Sequence, residues 1–339
     1  MKKLFDRLAK LTNNEYATKA SDGLPAGDID DYIDTGSYAF NALLSGSIFK
    51  GMPNSKIIAL AGEEATGKTF YALGIMKNFL DKNPDAAVFF FESEGALTKD
   101  IIESRNIDSE RVFIFPVATI QEFRYQVLNV LNEYIDTDNR PPLLMILDSL
   151  GNLSTTKEVE DATEGKETRD MTRTQLIRGT FRLLNLKLSK AKVPFILTNH
   201  TYQTMDLYSQ KVMSGGGGIK YASSQIIFLG KRKDKDGKDL VGNIIVCTVN
   251  KSRFTKEGKK VETKLNFETG LNRYYGLLEI AEKYEVFKKV GNKYETTDGK
   301  KYFEKAIYAE PAKHFTAEVL NKIDEACGKE FLYGNIEDE

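Results

Sequence analysis

The chain has no tryptophan, two cysteines, two histidines and eight prolines among its 339 residues. Cys247 and Cys327 are too few for a disulfide framework or a cysteine-based zinc site. Cys247 follows Ile244, Ile245 and Val246, so it reads as a buried strand thiol. His200 and His314 do not make a histidine-rich metal centre. No run of 18 apolar residues occurs, and the N-terminus, Met1-Lys2-Lys3-Leu4-Phe5-Asp6-Arg7, lacks the apolar core of a signal peptide. These absences predict a cytoplasmic protein without a membrane partner. Excess charge of one sign is also missing: 48 basic residues face 49 acidic ones, for a net charge of -1. A nucleic-acid partner would therefore need a local basic patch.

What is present suits an ordinary globular chain, with 41% hydrophobic and 29% charged residues. Leu4, Phe5, Leu8 and Leu11 recur at helical spacing and predict a short amphipathic helix, followed by a polar tether from Asn13 to Asp31. From residue 56 short apolar runs alternate with amphipathic ones, the pattern of a mostly parallel sheet covered by helices. Strands are predicted at 57–61, 87–91, 112–115, 143–147 and 195–198, with helices at 68–80, 122–134 and about 171–191. The runs 226–229, 244–249 and 261–267 are separated by charged turns, which predicts an antiparallel continuation of the sheet. The pattern changes after about Tyr275, to short helices around a polar hairpin-like segment, 288–301. The expected organisation is an N-terminal helix and linker (1–32), an α/β core (33–272) and a small α+β C-terminal domain (273–339).

Gly62-Glu63-Glu64-Ala65-Thr66-Gly67-Lys68-Thr69 satisfies G-x-x-x-x-G-K-[ST] between a predicted strand and a predicted helix. Such a loop curls backbone N–H groups around phosphate oxygens, with the helix N-terminus behind them. Lys68 would reach the β- and γ-phosphates, and the Thr69 hydroxyl would hold Mg²⁺. Asp148 closes the apolar run 143–147, at the strand end where open α/β sheets bind ligands, and is a candidate for the magnesium shell. Glu92 and Glu94 close another strand. One of them could polarise a water that attacks the γ-phosphate, and spacing does not choose between them. His200 ends the strand 195–198 and opens a loop through Gly215-Gly216-Gly217-Gly218, where it could sense the γ-phosphate.

These four elements, in this order, resemble the RecA family of strand-exchange ATPases, and its bacteriophage branch in particular. The resemblance spans about residues 33–285. It rests also on Asp34-Thr35-Gly36-Ser37, Asp148-Ser149-Leu150-Gly151-Asn152-Leu153 and Asp170-Met171-Thr172-Arg173. Further support comes from Asn199-His200-Thr201-Tyr202, Val212-Met213-Ser214-Gly215-Gly216-Gly217, Gly230-Lys231-Arg232 and Lys251-Ser252-Arg253.

The resemblance implies a RecA-like P-loop ATPase core using ATP and Mg²⁺. Glu94 would activate water, and His200 would contact the γ-phosphate where bacterial members have Gln. Lys251 and Arg253 would reach ATP on the adjacent subunit, stabilising transition-state charge in trans. Nucleotide contacts would run from Gly62 through Phe70, with Tyr275 a further candidate. Two stretches, about 152–166 and 202–220, correspond to DNA-binding loops. Arg169, Arg173, Arg178 and Lys211 are candidate phosphate contacts. Tyr202, Tyr208 and Met213 are candidates to wedge between bases, and Gly215, Gly216 and Gly217 would allow close backbone approach. Residues 231–264 hold 11 Lys/Arg against 5 Asp/Glu, enough for a secondary basic surface. Leu4 to Leu11 corresponds to the helix that docks on a neighbouring subunit.

The implied activity is DNA-dependent ATP hydrolysis, with helical filaments on single-stranded DNA and strand exchange with duplex DNA in recombination, repair and replication. A mediator and a single-strand-binding protein would be partners. Alternatives are a hexameric helicase motor on the same fold, or a non-catalytic paralogue acting as a scaffold. Two departures stand out. The family's long acidic C-terminal extension is reduced to a few carboxylates after Phe331-Leu332-Tyr333. Ile101 stands where bacterial members stack an aromatic on adenine, which implies looser base specificity.

Overall fold

The computed structural model describes residues 2–14, 16–166, 170–204 and 211–334. Helix α1 (Lys2–Leu11) precedes β1 (Tyr32–Ile33) and β2 (Met52–Pro53), an antiparallel pair that brackets helix α2 (Tyr38–Ser45). The central sheet begins with β3 (Ile57–Gly62), β4 (Ala87–Glu92), β5 (Val112–Pro116), β6 (Leu143–Asp148) and β7 (Phe195–Gln203). Between these strands run helices α3 (Lys68–Lys82), α4 (Lys99–Glu103), α5 (Ile120–Asp136), α6 (Thr156–Thr163) and α7 (Arg173–Ala191). Then come β8 (Lys211–Met213), helix α8 (Gly217–Ala222), β9 (Gln225–Asp236), β10 (Asp239–Ser252), β11 (Lys260–Asn266) and β12 (Gly270–Leu271).

The spatial order is β12-β11-β10-β9-β3-β7-β6-β4-β5, with β8 added on β7. From β9 to β5 every pairing is parallel, and from β9 to β12 every pairing is antiparallel, as the sequence pattern predicts. Each predicted strand is present; β3 to β6 run one residue past their apolar runs, and β7, β9 and β10 run several residues past theirs. The ladder hydrogen bonds do not stop where hydrophobicity does.

Pleat alternation divides the interior into two layers. Ile58, Leu60, Val88, Phe90, Leu144 and Ile146 face one cluster with residues of α2 and α3. Ile57, Ala59, Phe91, Met145, Leu147 and Phe195 face the other, under α5 and α7. Both faces of β6 are covered, so all six of its residues are buried, and truncating any large one to Ala would cost about 2–5 kcal/mol. Local capping agrees with the tertiary arrangement: Thr119 accepts the Glu122 N–H at the start of α5, and Glu122 in turn accepts from Ala118 N–H at 2.9 Å.

The C-terminal segment consists of α9 (Leu277–Lys283), a three-stranded antiparallel sheet and helices. The strands are β13 (Lys288–Val290), β14 (Lys293–Glu295) and β15 (Lys301–Phe303), and the helices α10 (Glu304–Ala309), α11 (Pro311–His314) and α12 (Ala317–Phe331). Its apolar residues join the same cluster as α2 and α3, through Leu277, Phe315, Ile323 and Phe331. The apolar core runs across the boundary expected near residue 273. Polar ties reinforce the docking. Asp324 accepts from Ser47 Oγ and Ile48 N–H, each at 2.7 Å, and Glu330 pairs with Lys259 at 2.7 Å and Lys283 at 2.6 Å.

Burial of Glu330 opposes its ionisation, but the hydrogen bonds from Lys259, Lys283 and Tyr284 outweigh it and hold the carboxyl down at about 2. The folded value is depressed below the ordinary 4.5, so this stabilisation is full above that pH and is lost as pH falls toward 2. Glu330→Gln is expected to lower stability by roughly 1–2 kcal/mol at pH 7, a figure discounted for the solvent exposure of both lysines. Urea denaturation should show the gap to wild type narrowing below pH 4.5; a gap that does not change with pH would contradict the assignment.

Candidate nucleotide site

Strand β3 runs straight into the phosphate loop, and α3 leaves it. Gly67 adopts φ +88° at the start of α3, a left-handed conformation that favours glycine. A Cβ on Gly62 would lie 2.4 Å from Thr66 Oγ1 and 2.8 Å from the Leu229 carbonyl, so the close approach of the loop to β9 requires glycine there. Lys68 is buried and donates to the carbonyls of Gly62 at 3.2 Å and Glu63 at 2.9 Å. Burial lowers the pKa of its ammonium, against the opposing pull of Asp148, Glu94 and Glu64.

Parallel register brings the remaining groups to the same sheet edge. Gly62 lies opposite His200 across β3 and β7, and Glu92 opposite Asp148 across β4 and β6. Thr69 Oγ1 donates to Asp148 Oδ2 at 2.6 Å, and the Thr198 hydroxyl donates to the other carboxylate oxygen. Burial raises the pKa of Asp148, with both hydroxyl bonds acting against the rise. A divalent cation fits this pair. One hydroxyl and one carboxylate are the protein ligands a Mg²⁺ ion takes when phosphates and water complete its six positions.

Glu92 and Glu94 differ in their hydrogen bonds. The Glu92 carboxylate accepts backbone N–H groups of Glu94 at 3.0 Å, Gly95 at 2.7 Å and Ala96 at 3.1 Å, which occupies it in shaping the turn. Glu94 projects into the cleft, accepts from Ser149 Oγ at 2.9 Å and stands 3.6 Å from His200 Nε2. The cleft, about 530 Å³, is lined by Glu64 to Phe70, Glu94, Asp148 and His200.

Other predicted residues are placed differently. Glu63 points out of the cleft and pairs with Lys211 at 3.1 Å, tying the phosphate loop to the hairpin of β7 and β8. Tyr275 does not line the cleft; it stacks on Tyr308 with ring centroids 5.2 Å apart, and burial pushes its hydroxyl up to about 12. Lys251 and Arg253 also lie outside this chain's own cleft. Lys251 Nζ donates to the Ser223 carbonyl at 2.7 Å, and Arg253 to that of Tyr221 at 3.3 Å, capping the end of α8.

The stretch 202–220, expected to correspond to a DNA-binding loop, has in its described part β8 paired with β7, followed by a helix. β8 pairs antiparallel with β7, Thr201 opposite Met213. Ser214 N–H donates to the His200 carbonyl at 3.0 Å, and Asn199 Nδ2 to the Ser214 carbonyl at 2.8 Å, so the chain is pulled back beside the strand it left. Within this stretch Gly215 and Gly216 have positive φ and Gly217 opens α8.

Tyr202 is exposed, whereas Met213, expected as a wedge, packs against the core. Arg178 is exposed on α7. Arg173, expected to contact phosphate, instead donates to the carbonyls of Gly151 at 3.0 Å and Leu153 at 3.2 Å, holding the turn after β6. The stretch 152–166 contains α6, closed by a capping box between Thr155 and Glu158. Arg169 and Tyr208 lie outside the described residues.

Sequence reasoning missed Ser149, Thr198 and Asn199 as site residues, although each lies within two positions of a residue it found. It also missed Arg105 and Phe267, which line the cleft from segments without a local motif.

The loop, the strand and helix around it and the Thr69–Asp148 pair define a P-loop nucleotide-binding protein of the α/β class. Residues 23–272 match the RecA N-terminal domain family, and the chain belongs to that family. It is 36% identical over 251 residues to the recombination and repair protein of Enterobacteria phage T4, an alignment covering 74% of this chain and 63% of that protein. The chain thus spans less than two thirds of the phage relative. It is also 25% identical over 305 residues to Protein RecA of Leifsonia xyli subsp. xyli (86% and 80% covered). With Protein RecA of Malacoplasma penetrans the identity is 24% over 246 residues (71% of each).

Because ionisation of buried Asp148 opposes folding above its ordinary pKa, Asp148→Asn is expected to leave the melting temperature at pH 7 unchanged or higher. ATP turnover in the same variant should fall by at least about 100-fold. Glu94→Gln should retain nucleotide binding and lose turnover by about 10²–10⁴-fold. Loss of binding instead would show Glu94 to be structural.

Proposed function

We propose that this chain is a DNA-dependent ATPase that assembles as helical filaments on single-stranded DNA and carries out homologous pairing and strand exchange. One observation carries the reading. His200 stands 3.6 Å from Glu94 in the cleft, and its own backbone carbonyl holds Ser214, the residue that opens the glycine run. A group facing the γ-phosphate and a segment corresponding to a DNA loop are therefore joined through one residue.

The chemistry follows from the side chains present. Backbone N–H groups of the loop and the Lys68 ammonium bind the β- and γ-phosphates, and Glu94 accepts a proton from the attacking water. Ser149 orients Glu94 by donating to Oε1. A Mg²⁺ ion held by Thr69 and Asp148 would offset the charge of the phosphates. His200, within reach of both Glu94 and a γ-phosphate, transmits its presence to residues 214–217 through the Asn199–Ser214 clamp.

Two features support assembly of several copies. The apolar face of α1, with Leu4, Phe5, Leu8 and Leu11, is exposed, as fits a helix that docks on a neighbour. Lys251 and Arg253 lie outside their own cleft, as fits cations supplied to an adjacent subunit's nucleotide.

ATP hydrolysis measured without DNA, with single strands and with duplex, together with negative-stain microscopy, tests the proposal. Strong stimulation by single strands, a steep dependence on protein concentration and helical filaments are expected, and Lys68→Ala should abolish turnover. Closed rings that unwind a fork would favour a helicase motor. Negligible turnover with DNA and nucleotide bound would favour a scaffold.

A further inference from the structure

Three consecutive residues at the end of β4 make three different connections. Glu92 staples its own turn and Glu94 projects into the cleft, while Ser93 between them bonds to the end of β6. The Ser93 hydroxyl donates to the Ser149 carbonyl at 2.8 Å and accepts the Ser149 N–H at 2.9 Å. The Ser93 N–H donates to the Asp148 carbonyl at 3.0 Å. One side chain thus takes up both backbone polar groups of Ser149, which is fully buried and has no water to turn to. Serine suits the task because its hydroxyl is donor and acceptor on one short stem, whereas alanine supplies neither.

The clasp bears on chemistry through what Ser149 does next. Its own hydroxyl donates to Glu94 Oε1 at 2.9 Å, and His200 Nε2 faces the same oxygen at 3.6 Å. Among the described residues Glu94 Oε2 accepts no hydrogen bond, which leaves that oxygen for a water. Because Ser93 and Glu94 are neighbours in the chain, the route from the Ser93 hydroxyl through Ser149 to Oε1 closes on itself as a ring. Ser149 also follows Asp148, whose carboxylate accepts from Thr69 at 2.6 Å. Ser93 therefore sets the spacing between the carboxylate suited to Mg²⁺ and the one suited to take a proton. A base must lie within hydrogen-bond reach of that proton, and a displacement of about 1 Å costs on the order of 100-fold in rate.

We propose that Ser93 is a positioning residue for hydrolysis, holding Ser149 so that Glu94 presents Oε2 to the attacking water. This deepens the proposed function and rests on the reading of Glu94 as the base.

Steady-state ATP hydrolysis by the full chain with saturating single-stranded DNA tests it, alongside binding of a fluorescent ATP analogue and thermal melting. Ser93→Ala is expected to lower kcat by about tenfold with KM and analogue binding unchanged. Ser93→Thr, which keeps the hydroxyl, should recover most of the loss. In a Glu94→Gln background Ser93→Ala should cause no further loss, because a residue that acts through Glu94 has nothing left to position. Ser149→Ala keeps both backbone bonds to Ser93 and removes only the donor to Glu94, so the same loss of kcat is expected. A normal kcat in Ser93→Ala with a lowered melting temperature would overturn the proposal, since the clasp would then be structural only. An additional loss in the double variant would overturn it too. So would wild-type kcat in Ser149→Ala, whether or not Ser93→Ala folds. Wild-type turnover in Glu94→Gln would remove the reading of the base itself, and the proposal with it.

Discussion

The register of four parallel strands is the constraint on which the site depends. Gly62 opposite His200, Glu92 opposite Asp148 and Leu147 opposite Leu197 bring the C-terminal ends of β3, β4 and β6 to one edge of the sheet, beside Thr198–His200 of β7. A slip of one residue in any of these pairings would turn every side chain of that strand to the other face. It would separate Thr69 from Asp148 and exchange residues between the two interior layers. The packing that fixes the register and the chemistry at the strand ends are thus one arrangement seen at two places.

Polar groups at this edge are buried at a cost that function accounts for. Lys68 and Asp148 are both held where ionisation is disfavoured, and each is satisfied by hydrogen bonds that a phosphate or a cation would replace or extend. Glu92 is satisfied differently, by three N–H groups of its own turn. Two carboxylates two residues apart therefore have separate tasks. One shapes the turn and the other remains available in the cleft.

The cleft communicates with the rest of the molecule by short covalent and hydrogen-bonded routes. His200 connects to Ser214 through a backbone bond and through Asn199, and Glu63 connects to Lys211 across 3.1 Å. Both routes end on the hairpin of β7 and β8 and the helix after it. Lys251 and Arg253 approach that helix from its other end. The phosphate loop is thereby tied by direct contacts to the glycine-containing segment 214–219, which packs on α7 through Gly218 and Ile219.

The sequence by itself determined the elements whose signal is local. The phosphate loop is legible because glycine and lysine spacing must suit a phosphate chain, and β6 with Asp148 because a strand covered on both faces is continuously apolar. The antiparallel continuation could be read from charged turns between apolar runs. Only the tertiary structure shows that Glu92 is engaged by N–H groups of its own turn while Glu94 projects into the cleft. Tertiary contacts also drew Arg173 and Met213 inward and placed Arg105 beside Phe70. Those residues meet groups distant in the chain, and no spacing along the sequence encodes a contact made between separate segments of the fold.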